Sequence, residues 1–226
     1  MKVVCSSVLK EWYEQEYSAC DNITLFGEIR PEVKSFVEIL PGGPGESLEL
    51  GCGDGRNLTA LARKGYSVTG VDMVDSTAQS RRLNPWLRDL NFQQADILKY
   101  RPAHSFYDVL ICSEVLHFFT PQQLERIAPS LIEAVKPGGY IFLDILSNLT
   151  RQFHESGEPF IWDKEAGLSI SDSEGLFDKW LSNFDILAFN HFFDKQSWPL
   201  SNSANLPIEP YTWQGTYVSV CARRRT

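Results

Sequence analysis

Residues 47–58, "SLELGCGDGRNL", set three glycines, Gly51, Gly53 and Gly55, into five consecutive positions directly behind an alternating apolar run. Glycine tolerates left-handed backbone and lets a ligand approach the main chain with no Cβ in the way. The pattern predicts a strand that ends in a tight turn and opens a helix, so that backbone N–H groups and the positive helix end face a ligand. It is not a dinucleotide fingerprint, because G-x-G-x-x-G needs its third glycine at position 56, which is Arg56. The chain also lacks a G-x-x-x-x-G-K-[S/T] phosphate loop.

Around this turn the chain alternates short β-rich segments with helical ones, the pattern of a parallel sheet covered on both faces. Strands are predicted at 47–50, 67–72, 91–95, 107–112 and 140–145. Helices are predicted at 31–39, at 57–64 closed by Gly65, and at 121–135 with Thr120 as N-cap and Pro121 in the first turn. Pro129 predicts a kink or break in the last of these. Beyond Leu146 the pattern changes. Residues 147–173 show little periodicity, "EGLFDKWLSNF" resumes a helix, and 185–192 and 216–223 read as two further strands. Residues 194–214, rich in Trp, Pro, Asn and Ser, read as a long binding loop or a mobile one. The two irregular stretches are expected to cover one edge of the sheet. With 226 residues, 43% of them apolar, the chain suits one domain. Its expected parts are a helical cover over 1–45, a ligand-binding core over 46–146, and a substrate-side segment with the last two strands over 147–226.

Two carboxylates extend the glycine-turn argument. Asp72 ends the next strand about 20 residues on, where it can accept from both hydroxyls of a ribose. Asp96, in "QADI", ends the third strand at the same edge, where it can accept from an adenine amino group while Ile97 packs near the ring. Ligands of open α/β sheets lie at the carboxyl ends of the strands, so an adenosine fits all three positions.

At these residues the chain resembles the class I S-adenosylmethionine-dependent methyltransferases, through "LELGCGDGR", the acid after strand two, "FYDVLICSEVLHFF" and "AVKPGGYIFLDI". The resemblance implies a Rossmann-like α/β fold: a seven-stranded, mainly parallel sheet with an antiparallel last strand and helices on both faces. It implies S-adenosyl-L-methionine as cofactor and S-adenosyl-L-homocysteine as product. Glu49 and the turn Gly51, Cys52, Gly53, Asp54, Gly55, with Asn57 behind it, would hold the amino-acid part. Asp72 would take the ribose, Met73 and Ile97 the adenine faces and Asp96 its amino group. Ser113 and Glu114 would close the pocket near the methionine moiety.

For the acceptor, the resemblance to methyltransferases of nucleic-acid amino groups stops where an N/D-P-P-Y/F turn would stand, since the chain has "CSEVLHFF" there. "EWYEQEYSACD", "GEPF", "LFDKWLSNFDILAFNHFF" and "VSVCARR" look like the tellurite-resistance and thiopurine-methyltransferase-like branch, which implies a thiol, a chalcogen oxyanion or another small metabolite. "YTWQGT" departs from that branch by placing Trp213 and Gln214 where His and Arg would suit an oxyanion. His117 reads as a base, a substrate-orienting group or a packing residue. Tyr13 and Tyr17, one turn apart on an N-terminal helix, read as a flap over the cofactor or a plain helix contact. Trp198, Tyr211 and Trp213 read as the wall of an acceptor site or as core.

A net charge of −8 opposes nucleic acid and anionic membrane as partners. The terminal run Arg223–Arg225 reads as a solubilising tail. Cys5, Cys20, Cys52, Cys112 and Cys221 are scattered and suggest neither a disulfide framework nor a metal site, which fits reduced thiols in a cytoplasm. No apolar run approaches the roughly 20 residues of a membrane span, and the N-terminus turns charged too early for a signal peptide. Oligomeric state stays open. Two rival readings are a catalytically silent cofactor-binding module and an NAD-dependent oxidoreductase on a similar sheet, the second opposed by the misplaced third glycine.

Overall fold

The computed structural model describes residues 1–19, 27–198 and 208–226. Seven strands form one sheet: β2 (Gly45–Leu50), β3 (Tyr66–Asp72), β4 (Asn91–Gln94), β5 (Tyr107–Cys112), β6 (Val135–Phe153), β8 (Phe184–Trp198) and β9 (Tyr211–Arg224). Their spatial order is β4-β3-β2-β5-β6-β9-β8. The pairs from β4 to β6 are parallel, and β9 runs antiparallel to both β6 and β8. A separate two-stranded sheet pairs β1 (Lys2–Val4) with β7 (Phe160–Trp162).

Because successive strand residues point to opposite faces, the central strands feed two apolar layers. Leu110, Cys112, Ile141, Leu143 and Ile145 turn toward α5 (Pro121–Ala134) and α6 (Ile170–Trp180), where Leu124, Ile127, Leu131, Phe177 and Trp180 meet them. Val109, Ile111 and Phe142 turn the other way, onto Val33, Phe36 and Val37 of α2 (Pro31–Ile39) and Leu58 and Leu61 of α3 (Arg56–Arg63). Each such side chain, once buried, contributes about 1.5–3 kcal/mol. Thr120 caps α5 as expected: it accepts from the Gln123 amide, and the Gln123 side chain accepts from Thr120 N–H at 2.9 Å. The helix runs unbroken through Pro129, so the break expected as one outcome there does not occur. Pro129 and Glu125, whose carbonyl loses its donor there, both lie on the exposed side, where water can serve that carbonyl.

The larger departure concerns the last third of the chain. β6 continues to Phe153, β8 extends to Trp198 and β9 starts at Tyr211, so residues 147–153, 194–198 and 211–214 are ladder rather than loop. These extensions pair Thr150 with Gln214, Phe153 with Tyr211 and Trp198 with Tyr211, past a register shift between Ser147 and Thr150. The polar residues among them are loop-like in composition, but in a ladder they alternate with Phe153, Trp198, Tyr211 and Trp213, which point together into a third apolar cluster. α6 also begins a turn before "EGLFDKWLSNF", at a capping box formed by Ser169 and Asp172. α1 (Ser7–Ala19) lays Leu9 and Trp12 against the third cluster. A short helix α4 (Thr77–Leu83), unpredicted, follows β3. Cys20 and residues 199–207 lie outside the described residues. Cys52, Cys112 and Cys221 are buried free thiols and Cys5 is exposed. Among the described residues no helix is long and apolar enough to cross a membrane.

Candidate active site

The glycine turn joins β2 to α3 with all three glycines left-handed: φ is 73° at Gly51, 51° at Gly53 and 84° at Gly55. A Cβ at Gly51 would stand 2.1 Å from Val115 Cγ2, and one at Gly55 2.6 Å from Leu87 Cδ1. The turn is tied to the tip of β3, since Gly51 N–H donates to Val71 O at 2.7 Å and Gly53 N–H to Asp72 Oδ2 at 2.9 Å. Asp72 accepts a second backbone bond from Val74 N–H at 3.0 Å. Burial pushes its carboxyl up despite these bonds. Glu49, fully buried beneath the turn, accepts from Asn57 Nδ2 at 2.7 Å. Glu49 Oε2 and Asn57 Oδ1 have no hydrogen-bond partner, and burial pushes the Glu49 carboxyl up to about 8.

At the tip of β5 a carboxylate not singled out from the sequence organises the chain. Asp144, fully buried on β6, accepts from Ser113 Oγ at 2.6 Å and from Glu114 N–H at 2.7 Å. Arg30 Nη1 donates to it at 3.2 Å, and the Arg30 guanidinium lies 3.8 Å from the centre of the Tyr217 ring. Burial raises Asp144 to about 6, more than Arg30 lowers it. Glu114 is left-handed at φ 61°, forms an ion pair with Arg56 and accepts from Tyr217 Oη at 3.2 Å. Arg30, Arg56, Asp144 and Tyr217 were therefore missed. The one available signal was an aspartate inside the otherwise apolar run "YIFLDIL" of a central strand.

The adenine-side candidates stand apart from this network. Met73 is 44% exposed, Ile97 is half-buried against the first apolar layer, and Asp96 accepts from Leu98 N–H at 2.9 Å. On the other side of the site, His117 sits on a single helical turn (Leu116–Phe118) with its ring buried and Nδ1 unpartnered. Burial first, then Arg151 and Arg30, push it down to about 3, so the imidazole is neutral at physiological pH. Its ring lies 4.2 Å from Phe118 and 6.4 Å from Tyr217.

The five aromatic candidates fall on one side of the molecule. Trp198, Tyr211 and Trp213 are buried in the third cluster, Tyr13 packs against it, and Tyr17 packs with Val74 just beyond β3. Tyr13 stands within electrostatic reach of both Asp72 and Tyr211, and Tyr17 of Asp72 and Asp54; burial chiefly, with these charges, pushes both phenols up. α1 thus bridges from the glycine turn to the strand extensions. Trp12, overlooked in the sequence, meets Trp198 edge-on at 4.6 Å and has an unpartnered indole N–H. Arg151 forms a buried ion pair with Glu165, which also accepts from Trp162 N–H at 2.6 Å.

A seven-stranded sheet with only β9 reversed, a glycine turn after β2 and a carboxylate at the tip of β3 defines the Rossmann-like class I methyltransferase architecture. Residues 48–139 match the family model described as a methyltransferase domain. It is 30% identical over 136 residues to phosphoethanolamine N-methyltransferase 3 of Arabidopsis thaliana, covering 58% of this chain and 26% of that protein. It is 29% identical over 178 residues to the ubiquinone biosynthesis O-methyltransferase of Pseudomonas aeruginosa, covering 66% of this chain and 75% of that one. The chain thus spans about a quarter of the plant relative and three quarters of the bacterial one. Two solved structures share the fold at a TM-score of 0.60. One is 1,6-didemethyltoxoflavin-N1-methyltransferase of Burkholderia thailandensis with bound S-adenosylhomocysteine, at 15% identity, covering 98% of this chain and 89% of that one. The other is TehB of Haemophilus influenzae, at 17% identity, covering 96% and 67%.

S-adenosylmethionine is the cofactor that the resemblance implies, and its ammonium group fits residues that are present. Two buried acceptor atoms without donors, Glu49 Oε2 and Asn57 Oδ1, suit an ammonium group.

Proposed function

We propose that this protein methylates an uncharged small molecule by direct in-line displacement. Bound S-adenosylmethionine supplies a methyl group already activated on a sulfonium. The protein has then to align the acceptor and keep water out. In this reading Glu49, Asn57 and the Gly51–Gly55 turn with Cys52 and Asp54 bind the amino-acid part, Asp72 binds the ribose, and Met73, Asp96 and Ile97 hold the adenine. Ser113 and Glu114, braced by Asp144 and Arg56, close the methionine end. Tyr13 and Tyr17 exclude water from above, and Trp198, Tyr211 and Trp213 wall the acceptor. A neutral His117 orients the acceptor through a hydrogen bond rather than acting as base, since an imidazole pushed down to about 3 holds a proton poorly at pH 7.

The arginines that reach this edge favour an uncharged acceptor over a chalcogen oxyanion. Arg30, Arg56 and Arg151 each already hold a carboxylate, on Asp144, Glu114 and Glu165 respectively. The observation that carries the proposal as a whole is the left-handed glycine turn bonded to Asp72, with unpartnered acceptor atoms beneath it.

The test is the thermal shift of the protein with S-adenosylhomocysteine beside NAD. At a hundredfold excess over Kd the bound nucleoside stabilises by about 2.7 kcal/mol, a rise of roughly 5–10 °C for a chain of this size. The Asp72→Ala protein should need at least tenfold more ligand for the same rise. Protection by NAD alone would sink the proposal in favour of an oxidoreductase. With binding secured, uncharged phenols and thiols are then screened against selenite and tellurite for methyl transfer. Transfer to none of them would favour the silent module, and transfer only to an oxyanion would refute the uncharged acceptor.

A further inference from the structure

Three carboxyls, Glu49, Asp54 and Asp72, stand within mutual reach around the glycine turn. The cation beside them, Arg56, is drawn off by Glu114. The other titratable groups facing this cluster are neutral, since burial pushes up the Cys52 and Cys112 thiols that face Glu49 and the Tyr17 phenol, which reaches Asp72 and Asp54 from α1. Glu49 lies deepest. As a carboxylate it offers only acceptors, and so does Asn57 Oδ1, which leaves two buried oxygens without any donor. A single proton on Glu49 supplies a donor, and an ammonium group supplies three.

We propose that Glu49 is a neutral carboxylic acid in the free protein and loses its proton to solvent when the ammonium group of the cofactor seats against Glu49 and Asn57. The inference rests on the cofactor reading above. The Glu49 O–H bond breaks, its proton goes to the buffer, the ammonium keeps all of its own, and nothing is oxidised or reduced. Geometry is the main support: one oxygen of the carboxyl is held by Asn57 and the other, fully buried, is not. The upward push on the carboxyl, to about 8, agrees with it. Affinity for any ligand carrying this ammonium then weakens as pH falls below 8, by about fiftyfold from pH 8 to pH 6. Glu49 would thereby separate ligands that bring the ammonium from nucleosides that lack it.

The experiment is calorimetric titration with S-adenosylhomocysteine at pH 7 in phosphate and in Tris, whose different ionisation enthalpies turn a released proton into a difference in heat. About 0.9 proton per site is expected at pH 7 and about half a proton at pH 8. 5′-Methylthioadenosine, which keeps the nucleoside and thioether without the amino acid, should bind with no buffer dependence. Glu49→Gln should bind S-adenosylhomocysteine with none either, and the comparison of the two ligands on the unaltered protein stands even if that variant does not fold. Homocysteine-nucleoside binding without proton release, equal release with methylthioadenosine, or release that persists in Glu49→Gln overturns the inference while leaving the cofactor reading intact. No binding of the homocysteine nucleoside at all overturns both.

Discussion

Gly51→Ala probes the turn at its most crowded point. Gly51 is left-handed at φ 73°, a conformation that costs an alanine about 1–2 kcal/mol. The new methyl would lie 2.1 Å from Val115 Cγ2, with Val115 Cβ and Cγ1 at 3.2 and 3.3 Å. Val115 is branched at Cβ and cannot swing clear. It also sits between Glu114, left-handed itself, and the turn that carries His117, so relief must come from moving backbone. Overpacking of this kind costs about 1–3 kcal/mol, which brings the sum to about 2–5 kcal/mol. Urea unfolding at pH 7 should show the midpoint falling with an unchanged slope, and Tm should fall by roughly 2–4 °C per kcal/mol. Val115→Ala in the Gly51→Ala background should recover the overlap but not the conformational cost, so that about 1–2 kcal/mol remains lost. A loss below 1 kcal/mol in the single variant, or no recovery in the double, would refute the reasoning.

Two buried groups should give opposite pH dependences. His117 is held near 3, below its unfolded value of about 6.5, so its contribution to stability is lost as pH falls; His117→Phe should gain on the wild type by about 2 kcal/mol between pH 6.5 and 5 in denaturant titrations. Asp144 is held near 6, above its unfolded value of about 3.9, so its contribution is present at low pH and lost as pH rises; the wild type should gain about 1.5 kcal/mol on Asp144→Asn between pH 6 and 4.5, and a variant flat relative to wild type in either series would refute the assignment. Glu165→Gln leaves Arg151 buried without its carboxylate and should cost about 3 kcal/mol, whereas adding Arg151→Met should restore most of it; equal losses in the single and double variants would count against a buried pair.

Much of the site was legible before any coordinates. Three left-handed glycines, Asp72 at the tip of β3, and Glu49 with Asn57 beneath the turn all follow from one strand-turn-helix unit and its neighbour. What escaped is non-local. Arg30 meets Asp144 across 114 positions and Tyr217 meets Glu114 across 103. No window of sequence contains either pair, and an arginine or glutamate read alone looks like solvated surface.

The strand extensions escaped for a related reason. Ser, Asn, Thr and Gln in 147–152 and 212–216 carry no apolar alternation of their own, and become strand only because each ladder supplies the other's backbone partners. The sequence by itself determined the parallel core, the glycine turn and the acid that faces it, because hydrophobic period and glycine stereochemistry act within a few residues. Only the tertiary structure decided which charges are paired, which acceptors are left without donors, and that α1 lies over the strand extensions, because those outcomes depend on burial, and burial is set by the whole chain at once.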